Sequence, residues 1–186
     1  MRRIGITGAP GCGVTTLGRA LAARLDAVHI DTDDHHWVAT DPPYQQKRDV
    51  PDRLRSIRAE QARTGRWVVS GTLDSWAEGI ADDAELILFL EAPTEVRMAR
   101  LRQREQGRFG DMLLPGGALH ETHREFIDWA AQYELGTQPG RSRPRHERWL
   151  AAIKIPVLRL DATRPLADLL EEVIGHTALH PPRRPA

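Results

Sequence analysis

The sequence predicts an α/β protein, a parallel five-stranded sheet with helices on both faces. Two observations carry this. Five short apolar runs recur along the chain, each followed by sequence of helical composition, the order that yields parallel strands joined by crossover helices. A glycine-rich turn joins the first run directly to the first helix. With 186 residues, 40% of them hydrophobic and 28% charged, the chain suits one globular domain, expected over residues 1–179.

The elements follow in order. Arg3-Ile4-Gly5-Ile6-Thr7 is the first strand, and the sequence through Leu25 is the first helix. Ala27 to Asp31 is a short buried strand that ends in the acidic cluster Asp31-Thr32-Asp33-Asp34. Residues 38–51, rich in proline and aspartate, read as a loop; Pro51 then opens a helix that stops at Gly65. Arg66 to Gly71 is the third strand, and Glu85 to Leu90, the most apolar, is the fourth. An arginine-rich helix over Val96 to Gln106 ends in a glycine and proline break at 107–117. Helices at His120 to Glu134 and Arg145 to Ile153 flank a loop, Ile155 to Leu160 is the last strand, and Pro165 to Thr177 the last helix. The tail at 180–186 is expected to be disordered.

Zero net charge argues against a general attraction to nucleic acid or an anionic membrane. A single cysteine, no signal-peptide pattern and no long apolar run fit a soluble protein of the cytoplasm. His35-His36 and the pair His120 and His123 lack the remaining spacing of a metal motif and read as surface histidines.

The glycine turn has a more specific meaning. Gly8-Ala9-Pro10-Gly11-Cys12-Gly13-Val14-Thr15-Thr16 fits the phosphate-loop (P-loop) pattern G-x-x-x-x-G-K-[ST] everywhere except the lysine position, which holds Val14. Glycines let successive backbone N–H groups converge on one concavity, and the helix that follows adds its unpaired amides and positive dipole end. Thr15 stands where the pattern places a hydroxyl on Mg²⁺, and Thr16 can bond another phosphate oxygen. Cys12 fits a small side chain that fills the tight loop.

In their order these features resemble the nucleoside monophosphate kinase and shikimate kinase branch of the P-loop kinases, including adenylate-kinase-like bacterial proteins. The resemblance rests on the Gly8 to Thr16 loop, the acidic residues after strand two, the glycine after strand three and the arginines after strand four. It implies a three-layer α/β/α fold with sheet order 2-3-1-4-5, ATP and Mg²⁺ at the loop, an acceptor-binding segment at about 35–64 and an arginine-bearing lid at about 97–117. It also implies that Asp31 and Asp33 place Mg²⁺ or the acceptor hydroxyl, with Asp33 the first choice for a base. On a helix extended to Arg108, Arg97, Arg100, Arg104 and Arg108 fall within an arc of about 80°, a stripe that invites an anionic ligand.

Two departures leave alternatives open. Val14 forfeits a charge-assisted hydrogen bond worth on the order of 1.5–3 kcal/mol, a roughly 10- to 150-fold loss of affinity unless Arg97, Arg100, Arg104 or Arg108 supplies the charge. After strand three the chain has Ser70-Gly71 where the nucleotide kinases have Asp-Gly. The leading expectation is a Mg²⁺-dependent kinase for a small acceptor, which Lys47, Arg48, Arg53, Arg55 and Arg58 suggest to be anionic. A nucleotide sensor without turnover follows from Val14. A dinucleotide-binding oxidoreductase echoes in Thr7-Gly8 through Gly11 with Asp31 downstream, although Val14 or Thr16 stands where that pattern wants glycine.

Overall fold

The structure, a computed structural model, describes residues 3–179; the predicted tail lies outside the described residues. In order the elements are β1 (Arg3–Gly8), α1 (Val14–Leu25), β2 (Val28–Asp31), α2 (Thr32–His36), α3 (Val50–Thr64), β3 (Trp67–Ser70), β4 (Leu86–Glu91), α4 (Thr94–Phe109), α5 (His120–Ala131), α6 (Arg143–Ala152), β5 (Val157–Asp161) and α7 (Leu166–Leu179). The strands form one parallel sheet in the order β2-β3-β1-β4-β5. This is the order implied by the kinase resemblance. A dinucleotide-binding fold begins instead with 3-2-1-4-5, so the oxidoreductase reading loses its fold.

The strands are apolar throughout because side chains of period two feed two cores. Ile4, Ile6, Leu86, Leu88 and Leu90 pack with Leu17 and Leu21 of α1 and Leu169 and Val173 of α7. Their neighbours Trp67, Val69, Ile87 and Phe89 pack on the other face with Ile57 of α3 and Leu150 of α6. Each such side chain, removed from water, contributes about 1.5–3 kcal/mol. A third, separate cluster joins Met98 and Leu101 of α4 to Ala130 of α5, with Phe126, Ile127 and Trp129 against it. The α4–α5 pair thus has a small core of its own.

Several boundaries differ from the sequence expectation. The acidic cluster forms the short helix α2, capped by Asp31, whose carboxylate accepts the Asp33 N–H at 3.0 Å. Gly107 does not break α4, which continues to Phe109 and stops at Gly110 with φ 48°. A turn closed by the Gly136 N–H on Gln132 O, at 3.1 Å, ends α5 early. Helix α6 starts at Arg143, with Pro144 in its first turn where no N–H is needed. Pro156 has no N–H to give the ladder, so β5 begins after it.

The chain moves from β1 outward to β2, returns to β3, then crosses β1 to reach β4. This reversal opens a crevice beyond the carboxyl ends of the strands, above Gly8. The end of β3 is stapled to both neighbours there: the Gly71 N–H bonds Ile6 O of β1 at 3.0 Å and the Thr72 N–H bonds the hydroxyl of Thr32, just after β2, at 2.9 Å. At φ 118°, a Cβ on Gly71 would run into Thr32 Oγ1, so the staple requires glycine.

Candidate active site

The glycine loop wraps the start of α1, which has Gly13 as its N-cap and no side-chain cap bond. The first amides of α1 therefore stay open to a ligand. Ala9, Pro10, Gly11, Gly13, Val14, Thr15 and Thr16 line a cavity of about 640 Å³ over the loop. Gly8 and Cys12, expected among the nucleotide-binding residues, stand behind it. A Cβ on Gly8 would lie 2.5 Å from Leu90 O, and Cys12 is 2% exposed with its N–H spent on Ala9 O at 3.1 Å. Burial pushes the Cys12 thiol up to about 11, which makes it unreactive at neutral pH. Val14 packs against the core of the α1 face, apolar matter where a lysine would reach forward.

Across the loop, the Thr15 hydroxyl donates to Asp31 Oδ2 at 2.8 Å. With its one hydrogen directed to Asp31, Thr15 Oγ1 keeps lone pairs for a cation. Asp31 ends β2, opposite Ser70 of β3, and Ser70 is fully buried against His29 at 2.9 Å. The carboxylate beside the P-loop threonine thus comes from β2, and the end of β3 supplies none. Asp74, the other acid after β3, is held by Arg145 at 2.6 Å and is 3% exposed. Asp33, two residues on from the cap, lines the cavity wall. Among the described residues no three His, Cys, Asp or Glu side chains gather as a metal cluster. A hard cation that takes most of its oxygens from phosphate and water needs only the Thr15 and Asp31 pair, so the donor set fits Mg²⁺.

The arginine stripe divides. Arg100, Arg104 and Arg108 line the cavity. Arg97 does not: it is 0% exposed, donating to Ala92 O, Pro10 O, Ala130 O and Thr94 Oγ1 and pairing with Glu134 at 3.4 Å. The expected four-arginine stripe therefore does not include Arg97, because the first turn of α4 sinks beneath the loop. Arg100 donates to Ala162 O at 2.8 Å, and Arg104 pairs with Glu105 at 2.7 Å. Arg108 has no side-chain hydrogen bond or ion pair among the described residues.

Arg19 of α1 and Arg141, before α6, also line this cavity and were not singled out in the sequence. Arg141 donates to the Thr72 hydroxyl at 2.5 Å, which fixes it over the end of β3. Lys47, Arg48, Arg53, Arg55 and Arg58 are absent from the walls. Arg53 bonds Arg48 O at 2.7 Å and His36 Nδ1 at 3.1 Å, Lys47 lies over the Trp37 ring, and Arg55 pairs with Asp52. Burial and then Arg53 push His36 down to about 4, so this lining residue is neutral at pH 7. His35 turns elsewhere, to Ser56 at 2.7 Å.

A second cavity, of about 750 Å³, adjoins the first and shares Thr15, Arg19, Asp33, Trp37, Arg104, Arg108, Phe126 and Trp129 with it. Its far wall is built by α4, α5 and Tyr44.

An open helix terminus, a hydroxyl and carboxylate beside it, and arginines above define a P-loop phosphate-binding protein. The sequence pattern of the AAA domain family matches residues 4–110. The chain belongs to that family, within the nucleoside monophosphate and shikimate kinase-like branch of the P-loop kinases. YqaC of Bacillus subtilis (strain 168) is 33% identical over 175 residues, 94% of this chain and 97% of its own length. A cytidylate kinase of Pyrobaculum islandicum is 28% identical over 125 residues, 59% of this chain and 64% of its own. In fold, the structure resembles shikimate kinase from Acinetobacter baumannii in complex with shikimate, with a TM-score of 0.60 and 12% identity over 97% of this chain and 95% of that one. A gluconokinase from Sinorhizobium meliloti gives 0.55 and 20% over 96% and 92%. No helix among the described residues is long and apolar enough to cross a membrane.

Proposed function

We propose that the chain is an ATP- and Mg²⁺-dependent phosphotransferase that acts on the hydroxyl of a small molecule. The observation that carries this is the Thr15 to Asp31 bond at 2.8 Å, with Asp33 two residues on in the wall of the cavity over the loop. The open amides from Gly13 to Thr16 hold the phosphates, and Thr15 and Asp31 hold the metal. Bound there, Mg²⁺ supplies charge neutralisation for the transferring phosphoryl group. Residues 35–64 form the acceptor segment and 97–117 the lid.

Asp33 accepts the proton of the acceptor hydroxyl. The freed oxygen forms its bond to the γ-phosphorus as the bond from that phosphorus to the β,γ-bridging oxygen breaks, and ADP leaves. Arg104, Arg108 and Arg141 meet the charge that Val14 cannot, with Arg100 anchored at the edge. Relatives and neighbours named as cytidylate kinase, shikimate kinase and gluconokinase support the reaction class.

The test is ATP consumption and acceptor phosphorylation over a broad panel of alcohols, beside calorimetric ATP affinity. Asp33→Asn is expected to lower turnover by on the order of 10²–10⁴ with ATP affinity unchanged. Val14 favours a second reading, a nucleotide sensor. ATP binding without transfer to any acceptor would establish the sensor and end the kinase proposal.

A further inference from the structure

Aromatic rings are concentrated in one place. Of the ten Trp, Tyr and Phe residues in the chain, Trp37, Tyr44, Phe109, Phe126 and Trp129 all line the second cavity. None of them belongs to the fully buried core, and Tyr44 is 38% exposed. Trp37 meets Tyr44 edge-on at 5.6 Å, and Tyr44 meets Phe109 at 6.2 Å, so rings join the acceptor segment to the end of α4. Phe126 and Trp129 stack at 6.0 Å on α5. Tyr44 holds a left-handed φ of 66°, a strained backbone for a bulky side chain.

Charge is distributed unevenly. The arginines of this cavity, Arg19, Arg104 and Arg108, are all shared with the phosphate loop. The part it does not share carries Asp31, Asp34, Glu105 and Glu125 and no lysine or arginine. Glu105 is paired with Arg104 and Asp31 accepts from Thr15, so a phosphate or carboxylate placed in that part would face Asp34 and Glu125 with no lysine or arginine of its own to meet. His123 adds a polar group to that wall, and its buried Nδ1 has no hydrogen-bond partner.

We propose that the second cavity binds an uncharged heteroaromatic alcohol, its ring held among Trp37, Tyr44, Phe109, Phe126 and Trp129 and its hydroxyl delivered to Asp33. The inference rests on the kinase reading for the fate of that hydroxyl, and on the cavity alone for the ring. Stacking holds any flat π-face, and Thr122 and His123 in the same wall give a ring heteroatom or exocyclic group polar partners. The volume of about 750 Å³ accommodates a ring with a sugar-sized substituent. Nucleosides and hydroxymethyl-substituted heterocycles share this chemistry.

The experiment titrates the full chain, with Mg²⁺ and a non-hydrolysable ATP analogue present, by tryptophan fluorescence and calorimetry. Probes are adenosine, cytidine, uridine and hydroxymethylpyridine, against AMP, CMP, shikimate, gluconate and mannitol. At least one uncharged aromatic alcohol is expected to bind about 10-fold or more tighter than every phosphate, carboxylate and saturated polyol. Tyr44→Leu, at a half-exposed position outside the first cavity, is expected to weaken it about 10-fold and leave the ATP analogue unaffected. Preference for a phosphate, carboxylate or polyol overturns the proposal, as does absence of binding by every probe or indifference to Tyr44→Leu. Selective aromatic binding, with no phosphoryl transfer to the bound alcohol when ATP replaces the analogue, supports the cavity assignment and defeats the kinase reading, so the two fail separately.

Discussion

Arg97 and Arg108 occupy one face of one helix and have opposite fates. Arg97 is enclosed, its guanidinium shared among backbone carbonyls of three segments and set over the Tyr133 ring at 5.1 Å. Its replacement by methionine leaves those acceptors unpaired in the interior and is expected to cost about 3 kcal/mol or more, read as a fall in the urea midpoint. Arg108→Ala at an exposed position is expected to stay within about 0.5 kcal/mol while turnover falls about 10-fold or more. The sequence made the two look equivalent because a helical wheel reports direction and is blind to depth. Asp31 makes two contacts that the sequence could not separate: one carboxylate oxygen caps α2 at the Asp33 N–H and the other accepts from the Thr15 hydroxyl.

At the scale of elements, the loop between β1 and α1 was the most legible part of the chain, since its meaning lies in spacing within nine residues. Its tolerance to change is set by a distant element. A Cβ on Gly11 would stand 2.6 Å from the Arg97 carbonyl, at a φ of 85°. Gly11→Ala is therefore expected to destabilise by about 1–3 kcal/mol and to weaken ATP binding in the same calorimetric assay. What the sequence concealed are contacts made only by tertiary folding. Arg141 reaches Thr72 across 69 positions, and Phe126 and Trp129 enter both cavities because α5 packs on α4. Neither α5 nor the loop before α6 carries a local motif that announces such a role. The basic residues around α3 misled for a related reason: their charge is visible in the sequence, their partners are not.

For the whole molecule, five apolar strands alternating with helices predicted a parallel sheet buried on both faces, and the strand order came from the resemblance to the P-loop kinases. The interior still holds polar groups that link stability to pH. His146 is fully buried, bonds the Tyr133 hydroxyl at 2.7 Å and is pushed down to about 4, mainly by burial and then by Arg141, with Asp74 opposing and Arg145 and Glu147 also facing it. The unfolded chain takes up this proton near pH 6.5, before the native state can, so stability is full above about 6.5 and declines down to about 4. Between pH 7 and 5 the wild type is expected to lose roughly 1–2 kcal/mol more than His146→Gln in urea unfolding. A last consequence follows from Arg97, which ties Pro10 of the loop, Ala92 before α4 and Ala130 at the end of α5 to one cation. In mechanical terms it is a pivot bolted to the phosphate platform: both legs of the α4–α5 arch are pinned, so any swing of the crown is confined to the span between them. On the proposed lid reading, closure would leave the cradle beneath undisturbed.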